Sequence, residues 1–265
     1  MSNPPLPRRS VFSDRLLQFR NFAFSDGAEF SRRGTWADYF RTRIGPAFTG
    51  EIILDVGCHE GELLSAVSTQ NPATAFIGLD WKPRSLFHAA TKLQTSPNVA
   101  LLHARAQDLS RLVAPSELSE IWLFHPEPCA LPHELSHRLF NPPFLLAAHT
   151  ALRLGGLFCL KTDHPGYFQH ALALLGLPPP FAAAHSAVPA HPRLRTADFA
   201  PPAELPPPDP ALTSGFLPTS IEPDFWSAQP SSRLFSPHTT TYEARFRRRK
   251  NPIHYLELQT LRPQI

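Results

Sequence analysis

Two aspartates, Asp55 and Asp80, end two short apolar runs, and a turn with glycines at both ends, Gly57-Cys58-His59-Glu60-Gly61, follows the first. An acidic side chain about twenty residues beyond such a turn is placed to accept hydrogen bonds from both hydroxyls of a ribose. Gly57 and Gly61 let the backbone pass close to a ligand where a helix begins. The spacing G-x-x-x-G, in place of G-x-G-x-x-G, points away from a dinucleotide. It fits S-adenosylmethionine, whose adenosine offers the same ribose but brings no pyrophosphate. The other reading of these residues is a structural turn in a nucleotide-free sheet.

A third carboxylate, Glu127, sits in His125-Pro126-Glu127-Pro128, directly after the apolar run Ile121-Trp122-Leu123-Phe124. Prolines on both sides stiffen its backbone at little entropic cost. The position is the carboxyl end of a strand, where ligands of open α/β sheets bind. Its plainer reading is a proline turn with a solvated glutamate. Histidines 59, 125, 133, 137 and 164 fall at the same edge. Only His133 and His137 stand at i, i+4, without a further ligand, so no metal site is expected.

The elements that must position these groups follow from the pattern. Apolar strands are expected at 51–56, 75–79, 99–103, 119–124 and 156–161, with helices near 60–69, 83–93, 142–153 and 165–175. This alternation predicts a parallel sheet covered on both faces. Residues 1–45 form a basic arm bearing Phe12, Phe19, Phe22, Phe24 and Trp36; a helix packed on the core is favoured over a base-stacking platform. The core spans 46–176. Fifteen of the 31 prolines fall between 178 and 237, which argues for a surface loop over 177–238, free of long helices and central strands. Strand signals in 239–265 predict a closing antiparallel hairpin on the sheet edge.

Bulk numbers narrow the classes further. With 42% apolar residues in 265, the chain can bury a real core. No apolar run reaches membrane-spanning length, and the Pro- and Arg-rich start shows no secretory signal. Cys58, Cys129 and Cys159 are far apart, which suits a reducing cytoplasm. A net charge of +3 permits an anionic partner without demanding one. Four lysines against many arginines fit phosphate and base contacts, and fit genome base composition equally.

At Glu127 the chain comes to resemble the bacterial tRNA (guanine-N7)-methyltransferases. Their F-P-D-P-W aligns with His125-Pro126-Glu127-Pro128-Cys129, L-E-I-G-x with Leu54-Asp55-Val56-Gly57-Cys58, and F-I-G-I-E with Phe76-Ile77-Gly78-Leu79-Asp80. Asn141-Pro142-Pro143-Phe144-Leu145 and Leu154-Gly155-Gly156 match the next helix and turn. Thr162-Asp163 matches T-D-W, and Thr240-Thr241-Tyr242-Glu243-Ala244-Arg245-Phe246 looks like T-x-Y-E-x-K-F. The last two pieces are the specific ones, because generic methyltransferases lack them.

The resemblance implies a Rossmann-like α/β fold of class I S-adenosylmethionine-dependent methyltransferases, with a mostly parallel seven-stranded sheet and a C-terminal antiparallel hairpin. It implies cofactor contacts from Asp55, Gly57, Gly61, Asp80 and Glu127, catalytic roles for Glu127 and Asp163, and a target guanine held by Asp163, Thr240 and Glu243. Asp163 has a second reading as a helix N-cap, and both roles can hold at once. Guanine N7 carries an in-plane lone pair and needs no general base, so placement is the protein's task. Carboxylates suit the opposite edge of the base, where N1–H and the amine are donors.

The chain departs from the family at several points. The basic run after F-P-D-P-W is replaced by Ala130-Leu131-Pro132-His133-Glu134-Leu135-Ser136-His137-Arg138. Arg138 and Arg245 are the arginines left for substrate. Arg105 occupies the place of the family's adenine-side acid, with Asp108 three residues on as its substitute. Fewer phosphate contacts weaken RNA binding, and Arg247 to Lys250 with the N-terminal arginines are the residues available to compensate. The expected activity is methylation of guanine N7 in tRNA, in the cytoplasm. Two rivals are kept: the same fold acting on another RNA or a small acceptor, and a weakened homologue that binds tRNA or a partner.

Overall fold

The runs of buried apolar residues pair edge to edge into one eight-stranded sheet. The computed structural model describes residues 10–178, 205–225, 241–248 and 251–261. Strands are β1 Ala23–Phe24, β2 Ile52–Val56, β3 Ala75–Asp80, β4 Val99–His103, β5 Leu118–Phe124, β6 Leu152–Thr162, β7 Phe216–Glu222 and β8 His254–Thr260. Their order is β1-β4-β3-β2-β5-β6-β8-β7. β1 to β6 pair in parallel, and β8 runs antiparallel between β6 and β7.

The helices are α1 Val11–Leu16, α2 Trp36–Ile44, α3 Glu62–Gln70, α4 Pro83–Leu93, α5 Leu109–Leu112, α6 Pro142–Ala151, α7 Pro165–Leu174, α8 Pro210–Gly215 and α9 Thr241–Arg248. The two faces of the sheet carry separate apolar clusters. One joins Trp36, Phe40, Leu145, Phe158 and Tyr167; the other joins Leu64, Phe76, Leu86, Trp122 and Tyr255. β2 and β3 are buried along their whole length, as strands covered on both faces must be.

Register then places the acids. Asp55 lies opposite Gly78 and Trp122, one residue short of the end of β2, and Asp80 ends β3. Gly78 must lack a side chain, since a Cβ there would come within 2.6 Å of Leu64 and 2.9 Å of Cys58.

The structure differs from the expected layout in three places. The sheet has eight strands because the two-residue β1 adds to the edge beside β4. The hairpin's first strand is β7, inside the proline-rich stretch, not the segment after 239. Pro218 is tolerated because β7 is the outermost of the described strands, where among the described residues one side of the backbone has no ladder to complete. Residues 241–248, expected as strand, are helical. Glu243 and Phe246, three apart, are both buried, a period that a helix satisfies and a strand does not.

In the described part of the N-terminal arm, α2 packs on the core. Trp36 and Phe40 are fully buried, and the Trp36 indole N–H donates to the Leu112 carbonyl at 3.0 Å. Arg33 and Arg43 donate to the carbonyls of Ser110 and Pro97. Arg8, Arg9, Arg249 and Lys250 lie outside the described residues.

Candidate active site

The turn after β2 is tied to β3 by its backbone. Gly57 and Cys58 N–H both donate to the Leu79 carbonyl, at 2.8 and 3.1 Å. Gly57 (φ 84°) and Gly61 (φ 70°) adopt left-handed geometry, and Gly61 caps α3. A Cβ on Gly61 would press on Leu93 and Ala89 at 3.0 and 3.1 Å, so glycine also lets α4 close in.

The Asp80 carboxylate is fixed by two backbone donors, His59 N–H at 3.0 Å and Lys82 N–H at 2.8 Å. Asp55 is buried beside it. Burial, and after it the Asp80 charge, push the Asp55 carboxyl from 3.8 up to about 7. A ligand bringing donors or positive charge would relieve that strain. Around this pair stands a side chain that sequence reasoning did not single out. The Trp81 ring is 38% exposed, with the Arg105 guanidinium 5.3 Å and the Lys82 ammonium 5.2 Å from its centroid. Asp108 is engaged elsewhere, pairing with Arg111 at 3.3 Å at the start of α5.

Across the sheet edge, the turn after β5 has a strained frame. His125 (φ 51°) and Cys129 (φ 43°) are left-handed without being glycine, at a cost of ~1–3 kcal/mol each. Between them Glu127 projects outward, 77% exposed, its carboxylate meeting the Lys82 ammonium at 3.5 Å. The prolines therefore brace its backbone, while the carboxylate itself stays in solvent.

Arg138 does not reach that surface. It is buried, donating from Nε to the Pro128 carbonyl at 3.0 Å and from Nη1 to Gly166 at 3.3 Å, beneath the Tyr167 ring. Burial also holds it below the usual arginine range. It braces the proline turn against α7 through these two carbonyls.

Asp163, in the turn after β6, and Glu243, on α9, come together on one imidazole. His125 Nδ1 lies 3.4 Å from Asp163 Oδ1, and Nε2 lies 3.4 Å from Glu243 Oε1. The Lys161 ammonium meets the same Glu243 oxygen at 3.0 Å. Side-chain exposure rises from Lys161 (2%) and Glu243 (1%) to His125 (8%) and Asp163 (21%). Burial would lower the His125 pKa, but the two carboxylates outweigh it and raise it. Burial would raise Glu243, yet His125 and Lys161 hold it below the ordinary value. Lys161 is lowered by burial against the pull of Glu243.

The site thus joins an acid pair at the strand tips to a charge-balanced patch beside it. The family model described as putative methyltransferase matches residues 49–198, the segment that carries Asp55, Asp80, His125, Lys161 and Asp163 but not Glu243. The chain belongs to this methyltransferase family.

Curated relatives of the family include the tRNA (guanine-N(7)-)-methyltransferase of Christiangramia forsetii, 32% identical over 55% of this chain and 64% of that protein. That of Rubrobacter xylanophilus is 33% identical over 46% of this chain and 56% of the relative. The chain thus spans less than two thirds of the length of either. The solved 16S rRNA methyltransferase KamB superposes with a TM-score of 0.48 at 19% identity, over 90% of this chain and 94% of that one.

Within this family member the N-cap of α7 is His164, whose Nδ1 accepts from Tyr167 N–H at 3.0 Å, so Asp163 is not the cap. Thr240 lies outside the described residues, as does the side chain of Arg245. Lys161 was not expected at the site, and His125 was expected there only as one of five histidines along this edge. A histidine where the family carries phenylalanine was the one available signal. Among the described residues no three His, Cys, Asp or Glu gather as a metal site, and no helix is long and apolar enough to cross a membrane.

Proposed function

We propose that this chain is an S-adenosylmethionine-dependent RNA methyltransferase acting on N7 of a guanine in tRNA. The observation that carries the guanine reading is the meeting of Asp163 and Glu243 at one imidazole beside the strand tips. These residues belong to the T-D and Y-E pieces that generic methyltransferases lack, and the relatives named above carry the matching activity in their names. On this reading the partner is tRNA and the compartment the cytoplasm.

The Asp80 carboxylate, immobilised by two N–H donors, would take the ribose hydroxyls. Asp55 would face the donor-bearing, cationic part of the nucleoside, and Gly57 and Gly61 would keep the path clear. Trp81 would offer its face to the adenine. When bound, S-adenosylmethionine supplies an electrophilic methyl: the C–N7 bond forms from the guanine lone pair as the C–S bonding pair leaves with sulfur. No proton moves. The protein's contribution is alignment, exclusion of water and negative charge from Asp163 near the base as it becomes cationic. Glu243 is too buried to touch a base, so Asp163 makes the contact and Glu243 supports it. Glu127 and Lys82 would close the rim between donor and acceptor.

A second reading, methylation of another RNA or a small acceptor, is favoured by the stretch 130–137, which lacks lysine and arginine. Incubation with labelled S-adenosylmethionine and total tRNA, followed by nucleoside analysis, separates the two. Label in 7-methylguanosine supports the proposal. Label confined to other acceptors moves the chain to the second reading, and no label in any acceptor rejects both.

A further inference from the structure

The four groups Lys161, Glu243, His125 and Asp163 form a line of alternating charge from the interior to the surface. Glu243 Oε1 is shared by the Lys161 ammonium at 3.0 Å and His125 Nε2 at 3.4 Å, and His125 Nδ1 continues to Asp163 Oδ1 at 3.4 Å. Only the last member is appreciably exposed.

The backbone is arranged to hold the ring there. His125 N–H donates to the Lys161 carbonyl at 2.8 Å, extending the β5–β6 pairing by one residue. The chain then turns left-handed at His125, an expensive conformation for a histidine. The imidazole stacks on Phe246 of α9, centroids 6.3 Å apart and planes 11° from parallel. A ring with a carboxylate at each nitrogen satisfies both only as imidazolium, because neutral imidazole has a single N–H.

We infer that His125 is a positioning residue: donating to Glu243 on one side and Asp163 on the other, it orients the Asp163 carboxylate so that its second oxygen faces the incoming base. The inference rests on Asp163 as the acceptor contact proposed above. Among the described residues the charged groups facing His125 include Lys161 on β6, Asp163 in the turn after β6, and Glu243 on α9. Deprotonation removes one of the two donors and frees one carboxylate. Because Glu243 stays held by Lys161, the carboxylate released is Asp163. A phenylalanine here, the residue of the family fingerprint, keeps the ring and its stacking but makes neither bond.

The test uses His125→Phe and, as the milder change, His125→Gln, whose amide can still donate to one carboxylate. In the free protein, nitrogen NMR of the wild-type ring should show both nitrogens protonated at neutral pH. Asp163→Asn should lower the pH at which the second proton leaves. In steady state His125→Phe should raise KM for tRNA about tenfold, leave kcat within about twofold and leave S-adenosylhomocysteine affinity unchanged. His125→Gln should recover part of the KM loss. The wild-type kcat/KM should fall as pH rises through the imidazole's titration, and that limb should vanish in His125→Phe.

A singly protonated ring at neutral pH overturns the inference, whatever the acceptor. So does a His125→Phe protein with wild-type KM and pH profile. A doubly protonated ring in a protein that transfers no methyl to tRNA supports the charge line and rejects the tRNA reading, so the two failures are told apart.

Discussion

The two halves of the site solve the burial of charge in opposite ways. At the tips of β2 and β3, Asp55 and Asp80 are both buried and both acidic, and Asp55 answers by holding its proton up to about pH 7. On the other side, Lys161, Glu243, His125 and Asp163 alternate in sign, and burial is offset pair by pair. The first half is incomplete until a ligand brings donors or positive charge. The second half is complete on its own. On the proposed function the two have separate tasks: the first would capture the nucleoside, the second would hold a carboxylate still.

The largest effect should come from breaking the balanced half. Glu243→Ala leaves the Lys161 charge buried without its partner and should cost about 3–5 kcal/mol in chemical denaturation. A loss below 1 kcal/mol would mean that the lysine finds another anion. The unbalanced half should respond in the other direction. Asp55→Asn removes the buried repulsion, so the ligand-free protein should melt several degrees higher while S-adenosylhomocysteine binding falls at least tenfold. A variant both less stable and fully competent to bind would contradict the comparison.

The pH dependence sharpens the same contrast. Asp55 and His125 both have folded-state values above their ordinary 3.8 and 6.5. Each therefore favours the folded state at low pH and loses that contribution as pH rises through its folded value. Thermal scans of the ligand-free protein from about pH 5 to pH 8 should show the wild type losing stability relative to Asp55→Asn as pH rises.

The smallest stability effect is expected at the rim. Glu127→Ala removes an exposed contact to Lys82 and should change stability by less than about 0.5 kcal/mol, while lowering methyl transfer. Unchanged turnover would remove Glu127 from the reaction.

How much of this was legible in the sequence follows from where each signal lies. β2 to β6 were readable because parallel strands buried on both faces leave unbroken apolar runs, and the glycine turn marks where β2 must release the chain. The C-terminal part was harder. β7 hides among prolines that an outermost strand tolerates, and Thr241-Tyr242 carries β-favouring residues into what is a helix. The helical period there shows only once Glu243 and Phe246 are known to share a buried face. The acids of the T-D and Y-E pieces were visible as chemistry, but not the exposure that separates Asp163 from Glu243. Arg138 looked like a phosphate contact because a lone arginine in a loop carries no mark of burial. His125 could not be paired with partners that approach only through the fold.

Titration calorimetry of the purified protein with S-adenosylhomocysteine, wild type against Asp80→Ala, bears most directly on the capture half. The account predicts saturable one-to-one binding by the wild type and its loss in the variant, with circular dichroism unchanged. Absence of binding by well-folded wild type, or equal binding by both proteins, would contradict it.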